Sequence, residues 1–153
     1  MIWLNLVGLP WLVRFFLVIL FPFSTLDKIF NYKNALKQAN SSFLPGVKYL
    51  LIAGGIIEIG GSALILCAWH DRLAAFILAG YCIVTAILFH PFWQARDFWA
   101  KGDSKARAHF WDFLKNFGLA GGLGLIVLLG QLQPVSGFIQ HPLSSAPLAA
   151  QPE

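Results

Sequence analysis

A single carboxylate, Glu58, lies in the middle of the glycine-rich apolar run LIAGGIIEIGGSALILCAW, residues 51–69. An ionised side chain in such surroundings needs a partner, because burying an unpaired charge is very unfavourable. Arg14 is a candidate, since it stands in the apolar first stretch of the chain and its planar guanidinium can bind a carboxylate bidentately. An Arg14–Glu58 pair would serve either as a structural brace or as part of a binding site, and the sequence leaves both open.

The two residues are expected at the same depth in a membrane. Each lies about eleven residues into an apolar stretch, which is about 16 Å at 1.5 Å per residue and close to the bilayer midplane. The positions one helical turn from Glu58 all carry small residues: Gly54, Gly55, Gly61 and Ser62. A strip of small residues lets a second helix approach closely and lay a longer side chain over it.

Further polar residues cluster where apolar stretches end. His90 ends one stretch in FHPFW and Asn116 opens another in FLKNFGLAGG, so both are candidates for ligand binding. A histidine at a helix end also serves as an interfacial hydrogen-bonding group, and that alternative stays open. Secondary candidates stand beside them near the same membrane boundary: Asp27, Lys28, Trp93 and Lys115.

The two cysteines do not indicate redox or metal chemistry. Cys67 and Cys82 both lie in apolar runs and form no C-x-x-C motif, so no metal site is predicted. Cys82 is expected about 13 Å deeper in the membrane than Cys67, too far for a disulfide, so both thiols should be free. The chain also contains no haem-attachment motif and no dinucleotide fingerprint. Any electrons would have to come from a partner or a bound cofactor.

The composition places these residues in a membrane protein. Of 153 residues, 58% are hydrophobic and only 12% are charged, against about 25% charged in a soluble domain. A soluble fold this apolar would lack polar residues to cover its surface. The net charge of +4 is interpreted as a signal of membrane orientation, and a nucleic-acid partner is not expected.

Four stretches are long enough to cross a bilayer, which takes about 20 mostly apolar residues. They cover residues 3–23, 47–69, 73–92 and 113–132. The sequence therefore predicts an all-α polytopic membrane protein, a four-helix bundle over 1–133, followed by a loosely ordered, proline-containing tail over 134–153. The link at 70–72 is short enough to make the second and third helices antiparallel neighbours, and 24–46 could hold a short amphipathic helix.

Basic residues predict the orientation. The connections on one side carry nine of them, against Arg72 alone on the other. The nine are Lys28, Lys33, Lys37, Lys48, Arg96, Lys101, Lys105, Arg107 and Lys115. Loops rich in Lys and Arg stay in the cytoplasm, so 24–46 and 93–112 are expected there. Both termini would then face the periplasm or the exterior.

Several motifs, taken in order, resemble those of the DoxX family of small four-helix bacterial membrane proteins. They are an arginine in the first helix (Arg14), S-x-x-D-K-I over 24–29, a glycine-flanked glutamate over 53–61, H-x-F-W over 90–93, and K-N-x-G-L-x-G-G over 115–122. The resemblance covers nearly the whole chain. One departure is Thr25, where the family commonly has glycine.

The resemblance implies a location in the bacterial inner membrane and leaves the activity open. Some relatives resemble a quinone-facing subunit of an oxidoreductase, others are associated with oxidative-stress complexes, and many have no known role. The first hypothesis is therefore a redox accessory subunit that binds quinone in the bundle and works with a redox partner protein. It would be an enzyme only as the membrane subunit of a quinone-linked oxidoreductase complex.

Two alternatives remain: a non-catalytic membrane binding or assembly protein, and a small-solute transporter. Because four helices make only a small pore wall, the transporter would require a homo-oligomer.

Overall fold

The computed structural model describes residues 8–40 and 45–129, and this part of the chain is built from helices without strands. The helices are α1 (Leu9–Val18), α2 (Leu20–Phe30), α3 (Tyr32–Asn40), α4 (Val47–Leu66), α5 (Asp71–Phe89) and α6 (Lys105–Leu129), with one 3₁₀ turn at Phe92–Gln94. The predicted loose tail, 134–153, lies outside the described residues.

Four helical segments are long and apolar enough to cross a membrane. They are Leu9–Phe30, Val47–Leu66, Asp71–Gln94 and Lys105–Leu128, of 22, 20, 24 and 24 residues. The first consists of α1 and α2, joined through Ile19, whose backbone is helical and whose amide donates to the carbonyl of Phe15 at 2.9 Å. The predicted fold class, an all-α polytopic membrane protein, is confirmed.

Two helix boundaries differ from the predicted spans by seven residues or more, and the end of α4 and both ends of α5 differ by two or three. The first helical segment continues past residue 23 to Phe30, because the polar residues of its last turns face a polar partner inside the bundle. α6 begins at Lys105, well before residue 113, because a carboxylate in the preceding loop caps its first turn. Hydropathy does not detect either extension, since both run through polar sequence.

That cap is Asp97. Its carboxylate accepts hydrogen bonds from the backbone amides of Ala106 at 3.1 Å and Lys105 at 2.7 Å, which helix geometry leaves without partners inside α6. The bond from Ala106, with that from Lys105, lowers the pKa of Asp97 below its usual value. Arg107 holds the same loop by donating to three carbonyls, those of Phe98, Ala100 and Gly102. The loop before α6 is thus tied to the helix that follows it.

α4 and α5 pack as antiparallel neighbours, as predicted from the short link between them. The link turns sharply because Ala68 and His70 adopt left-handed backbone conformations, with φ of 52° and 50°. The two helices approach closely at Gly61, where a Cβ atom would lie only 2.8 Å from the side chain of Leu78. Leu78 is fully buried, so α5 forms the centre of the bundle and packs against α4 on one side and α6 on the other.

The two ends of the bundle are packed differently. Near the α4–α5 turn, α1 meets α6, and a Cβ atom at Gly122 would lie 2.9 Å from Leu17. Near the other end, α2 leans on α4, and α3 packs across both. α3 is the short helix predicted within 24–46, with Ala39 buried and the rest of its surface more exposed. This arrangement leaves a space between α2, α4 and α5 below α3.

The cysteines are both free, as predicted. Cys67 is exposed at the end of α4, whereas Cys82 is buried in the middle of α5.

Candidate binding site around Glu58

Glu58 is buried, with 2% of its surface exposed, and four side chains donate hydrogen bonds to its carboxylate. Oε1 accepts from Lys28 Nζ at 2.5 Å, from the Tyr81 hydroxyl at 3.0 Å and from Ser24 Oγ at 3.1 Å. Oε2 accepts from Thr25 Oγ1 at 2.6 Å. Three of the four donors share Oε1 and one binds Oε2, so both carboxylate oxygens have partners and the network supplies one positive charge.

Local sequence explains how these donors meet. Ser24, Thr25 and Lys28 occupy positions i, i+1 and i+4 of α2, which places all three side chains on one side of the helix. Tyr81 reaches the network from α5, over Gly54 of α4. A Cβ atom at Gly54 would lie 3.0 Å from the Tyr81 hydroxyl. The missing side chain at this glycine therefore makes room for Tyr81 beside Glu58.

The predicted Arg14–Glu58 pair is wrong. Arg14 Nη2 forms a salt bridge with Asp71 Oδ2 at 2.7 Å, and Nη1 donates to the carbonyl of Ile65 at 2.9 Å. Ile65 lies about two helical turns beyond Glu58 along α4. The prediction misjudged depth because it ended the first helix at residue 23, although the helix runs on to Phe30. Arg14 consequently lies near the α4–α5 turn, and Lys28 reaches Glu58.

The sequence contained a signal for the true partners that the prediction did not use. In the sequence, Lys28 is interpreted as an orientation signal and a secondary candidate at the membrane boundary, although Ser24, Thr25 and Lys28 have the spacing of one helix face. Tyr81 was not singled out, although a tyrosine in an apolar helix usually needs a partner for its hydroxyl. Of the small residues predicted to form a floor, Gly54 lies under Tyr81 and Gly55 under Thr25, whereas Gly61 packs against Leu78.

A cavity of about 500 Å³ extends from this network toward α3. Apolar side chains of α2, α4 and α5 form much of its wall, and Ser24, Lys28, Glu58 and Tyr81 form its inner polar end. Its other end, near α3, carries a second polar set: Asp27, Asn31, Asn34, Gln38, His90 and Asn116. Tyr81 and His90 are separated by about 13 Å along α5 at 1.5 Å per residue. The cavity is thus elongated, with polar groups at both ends.

The predicted candidates His90 and Asn116 line the cavity, at the opposite end from Glu58. His90 Nδ1 lies 3.5 Å from His109 Nδ1 and 3.9 Å from Asp112 Oδ2. The Asn116 amide donates to the backbone carbonyl of Asp112 at 2.9 Å. The structure therefore places both candidates in the same cavity as Glu58, without direct contact with its carboxylate.

Two of the four secondary candidates line the cavity and two do not. Asp27 and Lys28 both line the cavity, and Asp27 also accepts a hydrogen bond from Asn31 at 2.7 Å. Lys115 is outside the set that lines it and forms an exposed ion pair with Asp112 at 3.0 Å. Trp93 is also outside that set, and its ring packs edge-on against Phe92. Only the first two belong to the site around Glu58.

Within residues 8–40 and 45–129, no group of three His, Cys, Asp or Glu side chains is placed to hold a metal ion. What the cavity offers is a flexible ammonium group, a phenol and a hydroxyl at the end of an apolar space. Such groups hydrogen-bond and orient a lipophilic molecule that carries oxygen acceptors.

Comparison with known proteins agrees with the fold. No solved structure is significantly similar to the chain. One curated relative is 28% identical over 117 residues, which is 76% of this chain and 80% of the relative. It is the inner membrane protein YqjF of Escherichia coli strain K12. The DoxX family profile matches residues 9–91, which include Arg14, the α2 donors, Glu58 and Tyr81. The chain therefore belongs to the DoxX family.

Proposed function

We propose that this protein is a multi-pass inner-membrane protein that binds a quinone-like molecule in the cavity beside Glu58, as the accessory subunit of a redox complex. The observation that carries the proposal is the cavity itself. It has about 500 Å³ of space and apolar walls, and hydrogen-bond donors converge at its inner end. Ligand sites for small lipophilic molecules typically combine a volume of this size with a few placed polar groups.

The donors suit a carbonyl oxygen. An ammonium group has three N–H donors, and Lys28 directs two of them to Glu58 and the Tyr81 hydroxyl. The third is left for a ligand. Glu58 accepts a hydrogen bond from Lys28 and holds its ammonium group at the edge of the cavity, so the carboxylate positions the donor. A quinone has a flat apolar ring for the walls and carbonyl oxygens for this donor.

The electrons for a redox role would come from a partner protein. The buried Cys82 and the exposed Cys67 lie on different helices and are not paired. In this proposal the chain binds and orients the quinone, and a partner carries the group that reduces or oxidises it. The relative's printed name, an inner membrane protein, supports the location and is silent on chemistry.

A second function is favoured by one specific observation. In the described part of the chain, every buried side-chain nitrogen and oxygen has a hydrogen-bond partner. A network satisfied in this way also suits a brace that fixes helix positions in a membrane assembly protein without chemistry. The two functions differ in whether the hydrogen-bonding residues that line the cavity, such as Lys28 and Tyr81, contact a ligand.

Two matched variants separate them. Tyr81→Phe and Thr25→Val each remove one hydroxyl that donates to Glu58, but only Tyr81 lines the cavity. Binding of a short-chain ubiquinone analogue to the protein in nanodiscs would be measured by titration calorimetry, with decylbenzene as a ligand that lacks carbonyl groups. Tyr81→Phe also removes the acceptor of one Lys28 N–H, so the ammonium is no longer held toward the ligand. Loss of this positioning hydrogen bond, about 0.5–1.5 kcal/mol, should weaken quinone binding roughly 2- to 12-fold. Thr25→Val should bind like the parent.

The outcomes are distinct. Saturable binding of the quinone but not of decylbenzene, weakened only by Tyr81→Phe, supports the proposal. Absence of saturable binding to the folded parent protein rejects a quinone ligand. Equal loss of stability in both variants without any quinone binding supports the brace.

A further inference from the structure

A second concave surface lies on the opposite side of the contact between α2 and α4. It is a groove of about 540 Å³, and its lining is almost wholly apolar. Ile52, Ile56, Ile59 and Gly60 of α4 form one wall, and Ile29 of α2 forms the other. The isoleucines are all about half exposed or more in the isolated chain. In a membrane-spanning bundle this surface faces lipid.

Gly60 gives the groove its depth. A Cβ atom at Gly60 would meet no atom within 4 Å in the described part of the chain. Gly55 on the same helix, in contrast, is closely packed, since a Cβ there would lie 3.3 Å from Thr25. Glycine in a helix is entropically unfavourable compared with alanine. Packing within the chain accounts for a glycine at position 55, whereas the space beside Gly60 is open to a molecule from outside the chain.

The length and ends of the groove identify that occupant. From Ile52 to Gly60 α4 rises about 12 Å, close to the roughly 15 Å of one hydrocarbon leaflet. Tyr32 lies at the α3 end of the groove. Lys48, one helical turn before Ile52 on the same face of α4, is exposed beyond that end. A tyrosine and a lysine at this level match the interface position of a phosphate-bearing headgroup.

We propose that this groove is a specific site for a membrane phospholipid, with one acyl chain along Ile52, Ile56 and Gly60 and the headgroup phosphate beside Lys48. This phospholipid site does not depend on the identity of the ligand in the Glu58 cavity. Lys28 and Leu51 line both spaces. The phospholipid therefore packs against the back of the α2–α4 contact and supports the position of Lys28.

The test compares two glycines with open space beside them, one in the groove and one outside it. Gly60→Leu fills the groove, and Gly80→Leu adds the same side chain to α5 at a glycine whose Cβ would also meet nothing within 4 Å. Gly60→Ala adds a single methyl group and keeps the test valid if Gly60→Leu fails to fold. Each protein is purified in mild detergent, and co-purified phospholipid per protein is quantified by mass spectrometry. Melting of delipidated protein is then recorded with and without added phosphatidylglycerol.

The parent and Gly80→Leu should retain the same phospholipid and melt at a higher temperature when phosphatidylglycerol is added. Gly60→Leu should lose both properties, Gly60→Ala should be intermediate, and Lys48→Gln should weaken the response to phosphatidylglycerol. Equal retention in all variants would overturn the proposal. So would recovery of a quinone, in place of a phospholipid, as the molecule that Gly60→Leu displaces.

Discussion

The contact between Lys28 and Glu58 should be the strongest single side-chain interaction in the site, and its loss can be measured. Lys28→Met removes the only cation that contacts the Glu58 carboxylate in the described structure, leaving a charge that is 2% exposed with hydroxyl donors alone. Removing one partner of a buried pair typically costs about 3–5 kcal/mol. We expect Lys28→Met to lower the free energy of unfolding by that amount.

Glu58→Gln should cost less. The Lys28 side chain is 27% exposed, so its ammonium can turn toward water in the cavity when the carboxylate charge is removed. The remaining loss is that of altered hydrogen bonds, about 1–3 kcal/mol. In the double variant no unpaired charge remains, and the amide oxygen can still accept from Tyr81. The double variant should therefore be about 2–3 kcal/mol more stable than the sum of the single losses predicts.

The assay is reversible unfolding in mixed detergent micelles with increasing dodecyl sulfate, followed by far-ultraviolet circular dichroism. Arg14→Leu provides the control, because Arg14 pairs with Asp71 and not with Glu58. Its loss should add to that of Glu58→Gln within about 0.5 kcal/mol, as for sites without shared partners. Additive losses for Lys28→Met and Glu58→Gln would refute the pairing of these two residues. Strong coupling between Arg14 and Glu58 would restore the pair predicted from the sequence.

Three further predictions follow from other parts of the chain. Gly61→Ala should lower the free energy of unfolding by about 1–3 kcal/mol, because the added methyl group overpacks against Leu78 of α5. Gly80→Ala meets open space, so its stability in the same assay should stay within about 0.5 kcal/mol of the parent. Because two backbone amides lower the pKa of Asp97, the stability it contributes is present above its unfolded pKa and lost as pH falls through the folded value. The apparent melting temperature should thus drop below about pH 4 more steeply in the parent than in Asp97→Asn. Single cysteines in 24–46 and 93–112, in a cysteine-free background, should resist an impermeant thiol reagent on whole cells, and their labelling would reverse the predicted orientation.

Hydropathy was sufficient to predict the architecture. A bilayer requires each crossing segment to satisfy its own backbone, which leaves helices as the solution for apolar runs of this length. The four membrane-spanning helices could therefore be predicted from the four apolar runs in the sequence. The close α4–α5 packing followed from a link too short to allow any other neighbour. Glu58 was recognised because a carboxylate in such a run always needs an explanation.

The pairing of the charges was decided only by the tertiary structure. Depth along a helix depends on where the helix ends, and hydropathy ends the first helix where its polar residues begin. Ser24, Thr25 and Lys28 look like an interfacial loop in the sequence, yet they continue α2 because Glu58 on α4 accepts their hydrogen bonds. That acceptor comes from a residue far away in the chain. The sequence alone thus determined that Glu58 must be buried with partners. The packing of α2 against α4 and α5 determined that these partners include Lys28 and Tyr81. Only packing brings side chains from separate helices to the same depth.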